Sequence, residues 1–241
     1  LYHIDPLASG IRALSRADGT RATRTHGPTF YEDVADAYGR KFRPLLQTLG
    51  FTGKAGETVK IPTAGTISSP LLVLVGLGDE AKADATAVRR AAGVAARSVT
   101  NAASVAVALP ADTPELVRAV TEGLVLGAYR FDTYKKDSAE DAKQPGDWVV
   151  LSSIARQGEA TAAFERAQLL AAGVNAAREW VNLPANDLNP PTMADAVVAR
   201  AAERGINVRR LGASSVAVAF DETVGRRDLE DSLLGEADER L

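Results

Sequence analysis

Four patterns in this chain could do chemistry. Gly76-Leu77-Gly78 follows an apolar run and precedes a helical pattern. That is where an α/β protein can cradle a phosphate on backbone N–H groups. The third glycine of a dinucleotide fingerprint is missing, and no acidic residue lies at the usual distance, so a tight strand-to-helix turn is the favoured reading. His3 and His26 are the only histidines, and neither has Asp or Glu three or four residues on that would make a metal pair. Both read as surface residues. Asp228, Glu230 and Asp231, with Glu236, Asp238 and Glu239, follow no cation-loop motif and read as a solvated helix face. Lys135-Lys136 and Arg209-Arg210 read as ordinary surface charge. No residue is assigned a catalytic, cofactor-binding or metal-binding role.

Composition narrows the classes further. The formal net charge of −3 offers no global basic field to nucleic acid. There is no cysteine, which excludes disulfides and thiolate sites and fits a reducing, cytoplasmic setting. No run approaches the roughly 18 apolar residues a membrane span needs. Leu1-Tyr2-His3-Ile4-Asp5-Pro6 is not a signal peptide. It also lacks an initiator Met, so the expectation is a chain processed, truncated or incompletely recorded at that end.

The elements that would position any site come next. Residues 1–43 stay unassigned and read as solvated and turn-rich, apart from an amphipathic helix over Phe30 to Phe42. Leu45 to Leu49 is helical and stops at Gly50. Thr58 to Ile61 predicts a strand, and Leu71 to Val75 a strand buried on both faces. Ala85 to Val99 predicts a helix, Ser104 to Leu109 a second buried strand, and Thr113 to Tyr129 a helix capped by Thr113. Trp148 to Leu151 is a third strand, after an exposed loop from Tyr134 to Gly146. This alternation predicts an α/β fold with a mainly parallel sheet flanked by helices. A long helix from Thr161 to Asn182 carries the stripe Phe164, Ala167, Leu170 (with Ala171), Val174, Ala177 and Val181, and Pro184 cannot continue it. Thr192 to Arg204 is a further helix, Ile206 to Val208 starts a strand, and Ser215 to Phe220 alternates as another. Residues 212–241 combine that strand with an acidic tail and stay unassigned.

The junction Asn182-Leu183-Pro184-Ala185-Asn186-Asp187-Leu188-Asn189-Pro190 reads Asn-x-Pro-x-Asn-x-x-x-Pro. It resembles the hinge of the leucyl aminopeptidase (cytosol aminopeptidase) family. The resemblance covers roughly Pro44 to Val208. Leu46 to Glu57 looks like the family's glycine-punctuated stretch, Val73 to Gly78 like its central strand and turn, and Arg89-Arg90-Ala91-Ala92-Gly93 like the opening of the next helix. Glu122-Gly123-Leu124-Val125-Leu126-Gly127-Ala128-Tyr129-Arg130-Phe131 is similar to its Glu-Gly-x-x-Leu-Gly-x-Tyr-x-Phe segment. The resemblance implies a macro-domain-like N-terminal domain at 44–160, a linker helix at 161–182 and the start of a catalytic-type domain at 183–211. It further implies a parent enzyme that removes N-terminal residues from peptides, uses two divalent metal ions (zinc or manganese) and assembles as a hexamer. The family's metal motifs, Asn-Thr-Asp-Ala-Glu-Gly-Arg-Leu and Phe-Asp-Ser-Gly-Gly, do not occur in these 241 residues. The expected role of this portion is therefore structural and oligomeric. The alternative is a stand-alone module that holds an ADP-ribose-type ligand near Gly76 to Gly78, or DNA, which some bacterial family members bind.

Overall fold

Local sequence signals set most element boundaries. The computed structural model describes residues 2–4, 30–134, 143–202 and 208–217. The chain divides into two compact units, 1–171 and 172–241.

In the first unit, β1 (Tyr2–Ile4) is followed by α1 (Phe30–Tyr38). Gly39, at φ +57°, opens a single 3-10 turn before α2 (Phe42–Thr48), so the expected helix over 30–42 comes in two pieces. Two strands, β2 (Thr58–Pro62) and β3 (Leu71–Val75), then form an antiparallel ribbon with Ile61 opposite Leu72. Helix α3 (Ala85–Ser98) starts at Asp84, whose carboxylate accepts from Ala87 N at 2.8 Å. After β4 (Ser104–Val107), helix α4 (Pro114–Ala128) starts as the sequence predicts. Thr113 Oγ1 accepts from Leu116 N at 3.2 Å and Pro114 occupies the first turn, where no N–H partner is needed. Strand β5 (Asp147–Val150) pairs in parallel with β4, Val107 opposite Val150, and antiparallel with β1, Ile4 opposite Trp148.

The expectation of a mainly parallel sheet needs correction. Among the described residues of this unit, only β4 and β5 run parallel; the β1–β5 and β2–β3 ladders are antiparallel. The run Leu71 to Val75 is not uniformly buried either: Leu71 is 38% exposed and Leu72 is 8%. Its continuous apolar character has another cause. Alternate side chains serve two clusters, Leu72 and Leu74 packing with Val34, Phe42 and Ile61, and Val73 against the main core. That main core gathers Val88, Val117, Val120, Leu124, Trp148 and Phe164, all at most 1% exposed.

Helix α5 (Gly158–Asn182) changes character along its length. Phe164, Ala167 and Ala171 bury the predicted stripe, but Val174 and Val181 are 48% and 83% exposed. The helix ends at Asn182, two residues before Pro184, where a missing amide and the proline ring forbid another turn. In the second unit, α6 (Pro190–Ala202) begins in a reciprocal cap. Thr192 N donates to Asn189 Oδ1 at 3.2 Å and Asn189 N to Thr192 Oγ1 at 2.8 Å. A two-residue ribbon, β6 (Arg209–Arg210) and β7 (Val216–Ala217), closes it. Among the described residues, no helix is long and apolar enough to cross a membrane.

Candidate functional site

Strand β3 delivers the chain to Gly76, and the 53–57 loop packs directly on the turn that follows. Gly76 N donates to Glu57 O at 2.8 Å, Gly78 N to Gly53 O at 3.0 Å, and Gly56 N returns to Gly76 O at 3.0 Å. A Cβ on Gly76 would stand 2.0 Å from Lys54 O, so only glycine lets the two backbones touch. Gly78 sits at φ +84°, which favours glycine for a second reason. The amides of Gly76 and Gly78 are thus committed to carbonyls. A phosphate cradle needs them aimed outward, so the glycines serve packing between two loops.

Glu57 stiffens the partner loop. Its carboxylate accepts from Thr52 N at 3.0 Å, Thr52 Oγ1 at 2.9 Å and Lys54 N at 3.0 Å. Burial pushes this carboxyl up, but the hydrogen bonds from Thr52, Lys54 and Gly53 outweigh that and hold it below the ordinary 4.5. A lowered folded pKa gives stability that is present above the unfolded value and lost as pH falls through the folded one. The thermal stability advantage of the native chain over Glu57→Gln should therefore hold at neutral pH and shrink below about pH 4.5. Melting curves of both proteins between neutral and acid pH check this; an advantage that grows on acidification would contradict it.

Helices α3 and α4 meet through glycine. A Cβ on Gly123 would lie 2.3 Å from Arg89 O, and one on Gly127 would lie 2.5 Å from Gly93 Cα. One carboxylate ties the pair. Glu122, 8% exposed, receives Arg89 Nε at 2.7 Å from α3 and Arg118 Nε at 2.6 Å from its own helix. Two guanidinium hydrogen bonds offset the cost of burying that charge. Between this helix pair and the two glycine loops lies a cavity of about 560 Å³, lined among others by Gly56, Leu77, Val94, Arg97 and Leu126.

The other sequence candidates do not converge here. His3 lies in β1 opposite Val149. His26, Lys135, Lys136 and the acids at 228–239 fall outside the described residues. Arg210 is spent locally on Asp195 and on the carbonyls of Gly212 and Ala213, while Arg209 is exposed on β6. Among the described residues, no group of three or more His, Asp or Glu could hold a metal ion. Reading the sequence missed the Arg89–Glu122–Arg118 bridge and the cavity. Glycines at 123 and 127, one helical turn apart, were the signal that another backbone approaches.

The profile of the cytosol aminopeptidase family, N-terminal domain, matches residues 23–138. A probable cytosol aminopeptidase of Streptomyces coelicolor is 38% identical over 226 residues, 85% of this chain and 43% of the relative. The chain belongs to the cytosol aminopeptidase family. A second cytosol aminopeptidase relative, from Streptomyces avermitilis, is 40% identical over 191 residues, 75% of this chain and 37% of the relative. The chain thus spans less than half the length of these curated cytosol aminopeptidases. Its fold is similar to tomato leucine aminopeptidase, with a TM-score of 0.60 at 22% identity over 76% of this chain and 36% of that one. It is also similar to the bottromycin maturation enzyme BotP in complex with Mn, with a TM-score of 0.56 at 27% identity over 68% of this chain and 34% of that one.

Proposed function

We propose that this chain is the non-catalytic N-terminal portion of a metal-dependent aminopeptidase that removes N-terminal residues from peptides. Its own role is architectural: it packs in a homo-oligomer, a hexamer on the family pattern, and shapes access to the active site. In this reading 44–160 forms a macro-like domain, 161–182 a linker helix and 183–211 the opening of the catalytic-type domain. The enzyme works in the cytoplasm, as the name of the relatives indicates.

One observation carries the architectural role. The glycine turn that could have gripped a ligand spends its Gly76 and Gly78 amides on the neighbouring loop, so its polar groups hold the domain together. The two divalent ions of the parent activity need several converging carboxylates. The described residues do not supply such a set, and the family's metal motifs are absent from this sequence. The proposal therefore assigns no step of peptide hydrolysis to these residues. The test is hydrolysis of a leucyl anilide with added manganese or zinc, by this chain alone and by this chain fused to the remaining part of the Streptomyces coelicolor relative. The fusion should assemble and turn over, and the chain alone should not.

A further inference from the structure

The cavity beside the glycine turn carries one sign of charge. Arg89, Arg90 and Arg97 line it, and among the described residues no Asp or Glu does. Glu122 engages Arg89. The side chains of Arg90 and Arg97, both exposed residues, have no hydrogen bond or ion pair with any other described residue. Helical spacing puts Arg90, Val94 and Arg97 on one face of α3. The Arg97 Nη1 atom lies 3.5 Å from where a Cβ on Gly93 would stand, so the guanidinium lies over a stretch of helix that has no side chain. Leu77, Val94 and Leu126 supply apolar wall around it. The volume of about 560 Å³ falls within the range of small-molecule sites. Guanidinium groups recognise phosphate and carboxylate through paired N–H donors, and here two of them face a space that no acid among the described residues lines.

We propose that this cavity binds a small organic anion, its phosphate or carboxylate group held by Arg90 and Arg97 and its apolar body laid on Leu77, Val94 and Leu126. This differs from a phosphate cradle at Gly76 and Gly78, because side chains rather than those committed amides hold the charge. The site needs nothing from the catalytic part of the enzyme, so it stands or falls separately from the architectural reading.

Titration of the isotopically labelled 241-residue chain by NMR tests it. The probes are phenyl phosphate, 3-phenylpropionate and inorganic phosphate. The expected result is saturable shifts at the amides of Leu77, Gly93 and Gly127 with at least one of the two aromatic anions, at a Kd below about 1 mM. Inorganic phosphate, having charge but no body, should bind at least fivefold more weakly. Saturation by phenyl phosphate alone assigns the ligand as a phosphate, and by 3-phenylpropionate alone as a carboxylate; both support the site. Arg90→Gln and Arg97→Gln, at exposed positions that should leave folding intact, should each weaken binding at least fivefold. Unsaturable shifts with both aromatic anions, or binding unchanged in both variants, would overturn the proposal. So would sedimentation showing that a second copy of the chain occupies this face and is not displaced by either anion.

Discussion

Gly123→Ala and Gly127→Ala should each cost about 2 kcal/mol or more of folding stability, while Gly93→Ala should be neutral or slightly stabilising. The asymmetry is geometric. A Cβ on Gly127 would stand 2.5 Å from Gly93 Cα and 2.6 Å from Gly93 O, and one on Gly123 would stand 2.3 Å from Arg89 O. These are backbone atoms in the middle of α3 and cannot swing away, so the helices must separate. Separation also pulls Glu122 away from Arg89, which it meets at 2.7 Å. From the other side, a Cβ on Gly93 meets Gly123 O at 3.4 Å and Arg97 Nη1 at 3.5 Å, which is ordinary contact. Alanine there gains up to about 1 kcal/mol of helix propensity over glycine. Urea unfolding of the three variants measures the difference. Equal effects at positions 93 and 127 would show that the helix crossing is placed wrongly.

Val107→Asp should be close to unfolding the first unit, with a cost of about 3–5 kcal/mol, and Val73→Asp should cost less, about 1–2 kcal/mol. Val107 is 6% exposed, lies in the parallel ladder opposite Val150, and belongs to the main core. An aspartate there would have no partner and no water. Val73 is only partly buried, on a two-stranded ribbon whose neighbour Leu71 is 38% exposed. Its carboxylate could reach solvent with a small shift of the ribbon. Circular dichroism and denaturant titration of both proteins read this out. A well-folded Val107→Asp protein would show that β4 does not sit in the core.

These two cases mark what the sequence could say. The end of α5 at Asn182 and the start of α4 at Thr113 were legible because proline and a capping hydroxyl act on their own few residues. The direction of β3 was not, because an apolar run reports burial and not which strand lies alongside. The turn over 63–70, where Ala64 and Gly65 take φ +49° and +84°, is what folds β3 back on β2. The stripe of α5 kept its period to Val181, yet the burial stops at Ala171. Periodicity shows that a face is apolar and is silent about whether its partner lies in this chain. The Arg89–Glu122 bridge joins positions far apart in sequence, and only the packing of α3 on α4 brings them within 2.7 Å.

The central proposal is that this chain is the non-catalytic N-terminal portion of a family member and does no peptide chemistry of its own. Leucyl anilide hydrolysis by the purified chain, with manganese or zinc added, tests it most directly. The proposal predicts no turnover above a mock preparation from the same host, alongside clear turnover by the fusion to the remaining part of the Streptomyces coelicolor relative. Metal-dependent, saturable hydrolysis that co-purifies with the chain and disappears with Val107→Asp would contradict it.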